Sequence, residues 1–116
     1  MEDELIKLLE SFGYPVRRQG SFADDEEYPE TFFTFWNNDE YELKAYDNRT
    51  FSVVFDFDVN IYGKNSKLVY DLQAQARELL KSNGFQTPSR GYDVASDEKT
   101  HTGRGMRVIK EKKFRR

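Results

Sequence analysis

Phe51, Val53, Phe55, Phe57, Val59 and Ile61 alternate with Ser52, Val54, Asp56, Asp58 and Asn60. A period of two held over about eleven residues suits no helix. It specifies a long strand with one apolar face and one wet face, Val54 alone breaking the pattern. The rest of the chain is read outward from this strand.

Upstream, residues 2–12 place Leu5, Leu8, Leu9 and Phe12 on one face of an amphipathic helix, with Gly13 as its stop. Tyr14 to Arg18 reads as a short edge strand, where Pro15 costs no ladder bond. Ser21 to Glu30 is a polar loop. Thr31 to Trp36 is dense in β-favouring residues and predicts a strand. Asn37-Asn38-Asp39-Glu40 has turn chemistry, Tyr41 to Tyr46 predicts a further strand, and Asp47-Asn48-Arg49 a further turn. Downstream, Asn65 or Ser66 caps a helix that runs to about Ser82 and stops at Asn83-Gly84. Its stripe is Leu68, Val69, Leu72, Ala76, Leu79 and Leu80. Gln86 to Arg90 connects to a strand at Gly91–Ala95. Ser96 to Gly105 reads as a polar loop, Met106 to Lys110 as a last strand, and Glu111 to Arg116 as a frayed basic tail.

These elements define an α+β fold: an antiparallel sheet, made of a central three-strand meander and a C-terminal hairpin, covered on one face by two helices. At 116 residues the chain is one domain, expected over residues 1–110 with the tail at 111–116. Ten Phe, seven Tyr and one Trp supply much of the core. The absence of cysteine excludes a disulfide scaffold, a thiolate metal site and a cysteine nucleophile. No apolar run approaches the roughly 20 residues of a membrane span. Met1-Glu2-Asp3-Glu4 is acidic where an export signal would be basic, so no export signal is expected, and no membrane partner is expected either.

Charge is unevenly spread. Residues 99–116 hold eight Lys or Arg against one acid, Glu111; with an overall formal charge of −3, the other 98 residues carry −10. Such asymmetry points to an interaction segment. The chain as a whole is acidic, with a pI near 5.2, whereas a nucleic-acid binder is expected to show a basic domain or face.

No catalytic, cofactor or metal site emerges. Asp56, Asp58 and Asn60 share a strand face and mimic an oxygen-ligand site, but alternation alone puts polar residues there. His101 is the single histidine, with no nucleophile or orienting acid at a recognisable spacing. His101-Thr102-Gly103-Arg104-Gly105 lacks the strand, glycine loop and helix of a phosphate cradle and reads as a hairpin tip. The acidic run Asp24, Asp25, Glu26 and Glu27 is a solvated loop, opposite in sign to the basic C-terminal segment. The residues by themselves describe a non-enzymatic interaction domain.

The layout from Leu5 to about Phe114 resembles the small tail-completion (tail-terminator) proteins of long-tailed bacteriophages. The resemblance rests on the Leu5-Ile6-Lys7-Leu8-Leu9 helix, the Tyr14-Pro15-Val16 step and Tyr28-Pro29-Glu30-Thr31-Phe32-Phe33-Thr34-Phe35. It continues in the Phe51-to-Tyr62 strand and in the helix from Ser66-Lys67-Leu68-Val69 to Leu79-Leu80-Lys81-Ser82-Asn83-Gly84-Phe85. Thr100 to Arg104 and Met106 to Ile109 are similar to the family's final hairpin and last strand. These are patterns of shape, partly shared with head-closure and adaptor proteins of the phage neck. The basic C-terminal segment is stronger than the pattern requires.

The resemblance implies a structural protein that forms a ring, commonly of six subunits, on the head-proximal end of the tail tube. There it stops tube polymerisation and meets the head connector. Its partners would be further copies of itself, the tube protein and connector proteins, with nucleic acid only in the ring lumen. Its location would be the host cytoplasm during assembly and then the tail or neck of the virion. Asp24, Asp25, Glu26 and Glu27, with Arg104, Lys110, Lys112, Lys113, Arg115 and Arg116, are the residues expected at the subunit or partner interfaces. A monomeric inhibitor that binds one partner protein and a small enzyme are the two competing classes, the second disfavoured because no nucleophile, metal ligand set or cofactor loop can be assembled.

Overall fold

A computed structural model describes residues 1–21, 27–43 and 49–115. In chain order its elements are α1 (Glu2–Glu10), β1 (Val16–Arg18), β2 (Thr31–Leu43), β3 (Thr50–Gly63), α2 (Ser66–Ser82), β4 (Tyr92–Val94) and β5 (Thr102–Arg115). The strands form one sheet in the order β1-β2-β3-β5-β4, with the alternating segment at its centre. The fold is α+β, as the sequence pattern predicts.

The packed face is the one alternation specifies. Phe57, Val59 and Ile61 of β3 lie between Phe33 and Phe35 of β2 and Met106 and Val108 of β5. Leu5 and Leu9 of α1, one helical turn apart, close over this layer beside Val69, Leu72, Ala76 and Leu80 of α2. Most of these side chains have no solvent exposure. At roughly 1.5–3 kcal/mol for each large apolar side chain fully buried, this layer dominates the stability of the domain.

Helix ends follow local chemistry. The Asn65 side chain accepts from the Leu68 amide at 3.1 Å and starts α2. Gly84, at φ +88°, ends it, and the Phe85 amide returns to the Leu80 carbonyl at 3.0 Å. Within α2 the fully buried polar residue Gln73 donates to the Arg90 carbonyl at 2.9 Å. Arg77 donates to the carbonyls of Ser89 and Thr87 at 3.1 and 3.0 Å. The connector after α2 is thereby sewn to the helix.

Four expectations need correction. Asn37-Asn38-Asp39-Glu40 is not a turn: β2 is continuous, and the register shift between Asn37 and Asp39 marks a β-bulge. The strand expected at Tyr41–Tyr46 is thus the far half of β2 as far as Leu43; Lys44 to Asn48, with most of the turn at Asp47–Arg49, lie outside the described residues. Second, β5 starts at Thr102, so the loop expected over 96–105 is shorter. Third, β5 runs on through Arg115, so the segment expected to fray is strand paired along β3 from Val54 to Thr50. Arg116 lies outside the described residues. Fourth, β1 pairs parallel to β2, Val16 opposite Phe33. About a dozen residues separate the two strands, enough for the chain to return to the end from which it set out.

Candidate interaction surface

The sheet outruns its cover. A strand of 14 residues extends roughly 46 Å at about 3.3 Å per residue, and the molecule is 52 Å in its longest dimension but 28 and 22 Å in the others. β1 meets β2 only at Phe33–Phe35, and β4 meets β5 only at Gly103–Gly105; one further bridge joins Gln86 to Ile109. Beyond these points β2, β3 and β5 continue as a three-stranded ribbon. Among the described residues, the ribbon parts of β2 and β5 pair with β3 alone.

Apart from Tyr70 on α2, the exposed large apolar side chains among the described residues lie on the ribbon or on the sheet face away from the helices. Tyr41 and Leu43 on β2 are 47% and 40% exposed and Phe114 on β5 is 41% exposed; Trp36 and Tyr92 flank them at 50% and 39%. Phe114 stacks on Phe51 across the β3–β5 pair, centroids 5.5 Å apart. Burial pushes the phenols of Tyr92 and Tyr62 above their ordinary value, and for Tyr92 the neighbouring Asp58 adds to the effect. A shallow cleft of about 370 Å³ on this face is lined by Gln19, Tyr28, Phe32, Thr34, Tyr62 and Asp97. Thr34 donates to the Gln19 side-chain oxygen at 3.1 Å, and Asn60 reaches the same oxygen at 3.4 Å.

Residues that suggested chemistry in the sequence are engaged in holding the fold. Asp56 is buried rather than wet, and both its carboxylate oxygens accept from Arg107, Nε at 3.0 and 3.1 Å, with Nη2 adding a further bond. Arg107 is correspondingly held above its ordinary pKa by that hydrogen bond. No group of three or more His, Asp or Glu able to hold a metal occurs among the described residues. His101 is buried; its Nε2–H donates to the Pro29 carbonyl at 2.8 Å, which leaves Nδ1 to accept from the Thr100 hydroxyl at 3.0 Å. It ties the start of β5 to the approach to β2. Gly103 and Gly105 are strand residues and not a hairpin tip. A Cβ on Gly105 would sit 2.6 Å from Asn60 Oδ1 and 2.8 Å from the Tyr92 ring, and one on Gly103 2.8 Å from the Tyr62 ring. Absent side chains there let the two tyrosines lie across β5.

The expected interface residues divide into two groups. Arg104 donates to Asp93 at 3.1 Å and lies 5.0 Å over the Tyr70 ring. Lys110 donates to Glu4 and to the Asn83 carbonyl, and Lys112 lies 3.2 Å from Glu4. These lysines, Lys110 first, hold the Glu4 carboxyl below its ordinary value and fasten α1 to β5. Lys113 and Arg115 alternate with them and are exposed on the opposite face of the ribbon. Glu27 is exposed outside any helix or strand, whereas Asp24, Asp25 and Glu26 lie outside the described residues.

A second acidic group was hidden by the turn reading: Asp39, Glu40 and Glu42 lie on the ribbon half of β2. No family model matches the sequence, and no curated protein is similar to it. No helix among the described residues is long and apolar enough to cross a membrane.

Proposed function

We propose that this chain is a non-enzymatic morphogenesis protein, a tail terminator that forms a ring of its own copies at the head-proximal end of a phage tail tube. The observation that carries this reading is the ribbon: sheet that projects beyond the helices, with Tyr41, Leu43 and Phe114 exposed on it. Exposed apolar side chains grouped on a projecting element mark a surface made for protein contact. The order of elements, a helix, a run of strands, a second helix and a closing β4–β5 pair, is compatible with this reading. A ring requires two different complementary surfaces on each subunit, and a ribbon with two dissimilar edges supplies candidates for both.

The role is tested by electron microscopy of particles from a phage or prophage lacking the gene. Overlong, headless tail tubes beside filled heads are the expected outcome, because loss of the cap lets the tube keep growing. Tails of normal length that fail to join leaking heads would reassign the protein to head closure. Intact virions would refute a morphogenetic role and leave the partner-binding module.

A further inference from the structure

The ribbon has two open edges of opposite charge. Its β2 edge, residues 37–43, carries Asp39, Glu40 and Glu42 and no base; its β5 edge, residues 110–115, carries Lys110, Lys112, Lys113 and Arg115 against Glu111. Among the described residues neither stretch has a strand on its outer side. Charged residues on an edge strand are a common defence against unwanted pairing. Defence alone works with either sign on either edge. Opposite signs do something more selective: β2 repels β2, β5 repels β5, and β2 attracts β5.

The faces agree as well. Strands β2 and β5 are both antiparallel to β3 and so run in the same direction. A second copy that continues the sheet in the same orientation therefore places its β2 parallel to the first copy's β5. Alternation then puts Asp39, Tyr41 and Leu43 on the face that bears Lys113 and Arg115, and Glu40 and Glu42 on the face that bears Lys110 and Lys112. On the face away from the helices acid thus meets base, Lys110 and Lys112 being engaged with Glu4 on the other, and the exposed Tyr41, Leu43 and Phe114 lie at the seam.

We propose that the partner of the ribbon is a second copy of this chain, joined head to tail by parallel pairing of the acidic β2 edge, through Asp39, with the basic β5 edge, through Lys113 and Arg115. Such a contact is heterologous: each subunit offers one edge and accepts the other, so the contact propagates until it closes. Main-chain bonds supply the affinity and the charges fix the direction. This rests on the self-assembly in the proposed function and adds the surface through which it occurs.

The test uses charge reversal with rescue. On the face away from the helices, Asp39→Lys makes both ribbon edges basic, and Lys113→Glu/Arg115→Glu makes both acidic. All three side chains are exposed, and the Lys110 and Lys112 contacts to Glu4 are untouched. Each variant alone is expected to self-associate at least about tenfold more weakly than the natural chain in sedimentation velocity, and an equimolar mixture is expected to recover assembly by alternation. A chain without native cysteine allows a second readout. Asp39→Cys mixed with Lys113→Cys, in the presence of a short bis-maleimide, should give a cross-linked dimer at least about tenfold above either variant alone or above a Lys7→Cys control.

Equal 39–39 and 113–113 cross-linking, or reversal variants that assemble normally, would overturn the pairing. So would a natural chain that stays monomeric while only the Lys113→Glu/Arg115→Glu variant loses retention on immobilised DNA; that result would assign the basic edge to a phosphate backbone. Rings seen on tube ends without any 39–113 cross-link would overturn the edge pairing and keep the tail role. Directional cross-links from a chain whose deletion leaves virions intact would do the reverse.

Discussion

Phe57 and Phe51 stand on the same strand and the same face, six residues apart, and they should respond very differently to truncation. Phe57 is fully buried beneath the helices, with Val108 opposite it on β5. Phe51 lies on the ribbon, partly exposed, with the Phe114 ring as its neighbour at 5.5 Å. Phe57→Ala removes a ring from a closely packed layer and leaves a cavity, a loss of about 3–5 kcal/mol. Phe51→Ala forfeits an aromatic pair and some half-buried area, a loss of about 1–2 kcal/mol. A chain of this size loses roughly 3–6 °C of Tm per kcal/mol, so Phe57→Ala should lower Tm by roughly 9–30 °C and Phe51→Ala by roughly 3–12 °C. Urea titration followed by circular dichroism measures both, and unchanged m-values would confirm that the same surface is exposed on unfolding. Equal losses would refute the reasoning. They would mean that the ribbon is packed as tightly as the core in the isolated chain and is no free surface.

Gly105→Ala should destabilise by about 1–3 kcal/mol, because its methyl meets Asn60 Oδ1 and the Tyr92 ring inside contact distance; thermal melting detects it. Arg107→Ala should cost more than Asp56→Ala in the same assay, because it strands a buried carboxylate, whereas the guanidinium left by the opposite change reaches water. The Glu4 carboxyl is held below its ordinary 4.5 by Lys110 and then Lys112, so its stabilising effect is present above that pH and fades as pH falls through the lowered value. Glu4→Gln should therefore lower the urea midpoint at neutral pH, and the gap to the natural chain should close as the medium is acidified.

What the sequence made legible was the part governed by strict alternation and helical spacing. The apolar face of β3, the stripe of α2 and the stop at Gly84 follow from residue type and position, and the structure has them. The far half of β2 was obscured because a bulge and a turn recruit the same polar residues, as Asn37-Asn38-Asp39-Glu40 does here. A signal was nevertheless present: a strand as long as β3 leaves half an edge unpaired unless its hairpin partner is comparably long. The start of β5 was misread because glycine usually marks turns, whereas Gly103 and Gly105 make room for Tyr62 and Tyr92, which are distant in sequence. The Asp56–Arg107 pair joins residues 51 apart in the chain, and no local pattern reports such a contact. The basic residues of the interaction surface were visible, but their division into Lys110 and Lys112 turned toward Glu4 and Lys113 and Arg115 turned outward appears only once they alternate on a strand.

The place of β5 in the sheet has a consequence for the order in which the fold is assembled. β5 lies between β3 and β4, so while the chain has emerged from the ribosome only as far as residue 101, β3 has a partner on one side only. During that interval Phe57, Val59 and Ile61 lack the layer that Met106 and Val108 supply, and α1 lacks its anchor on Lys110 and Lys112. Contacts of such long sequence separation form slowly. The nascent chain therefore passes through a state whose most apolar strand presents a raw edge. Folding is a race in which residues 102–115 must reach that edge before a neighbouring nascent chain does.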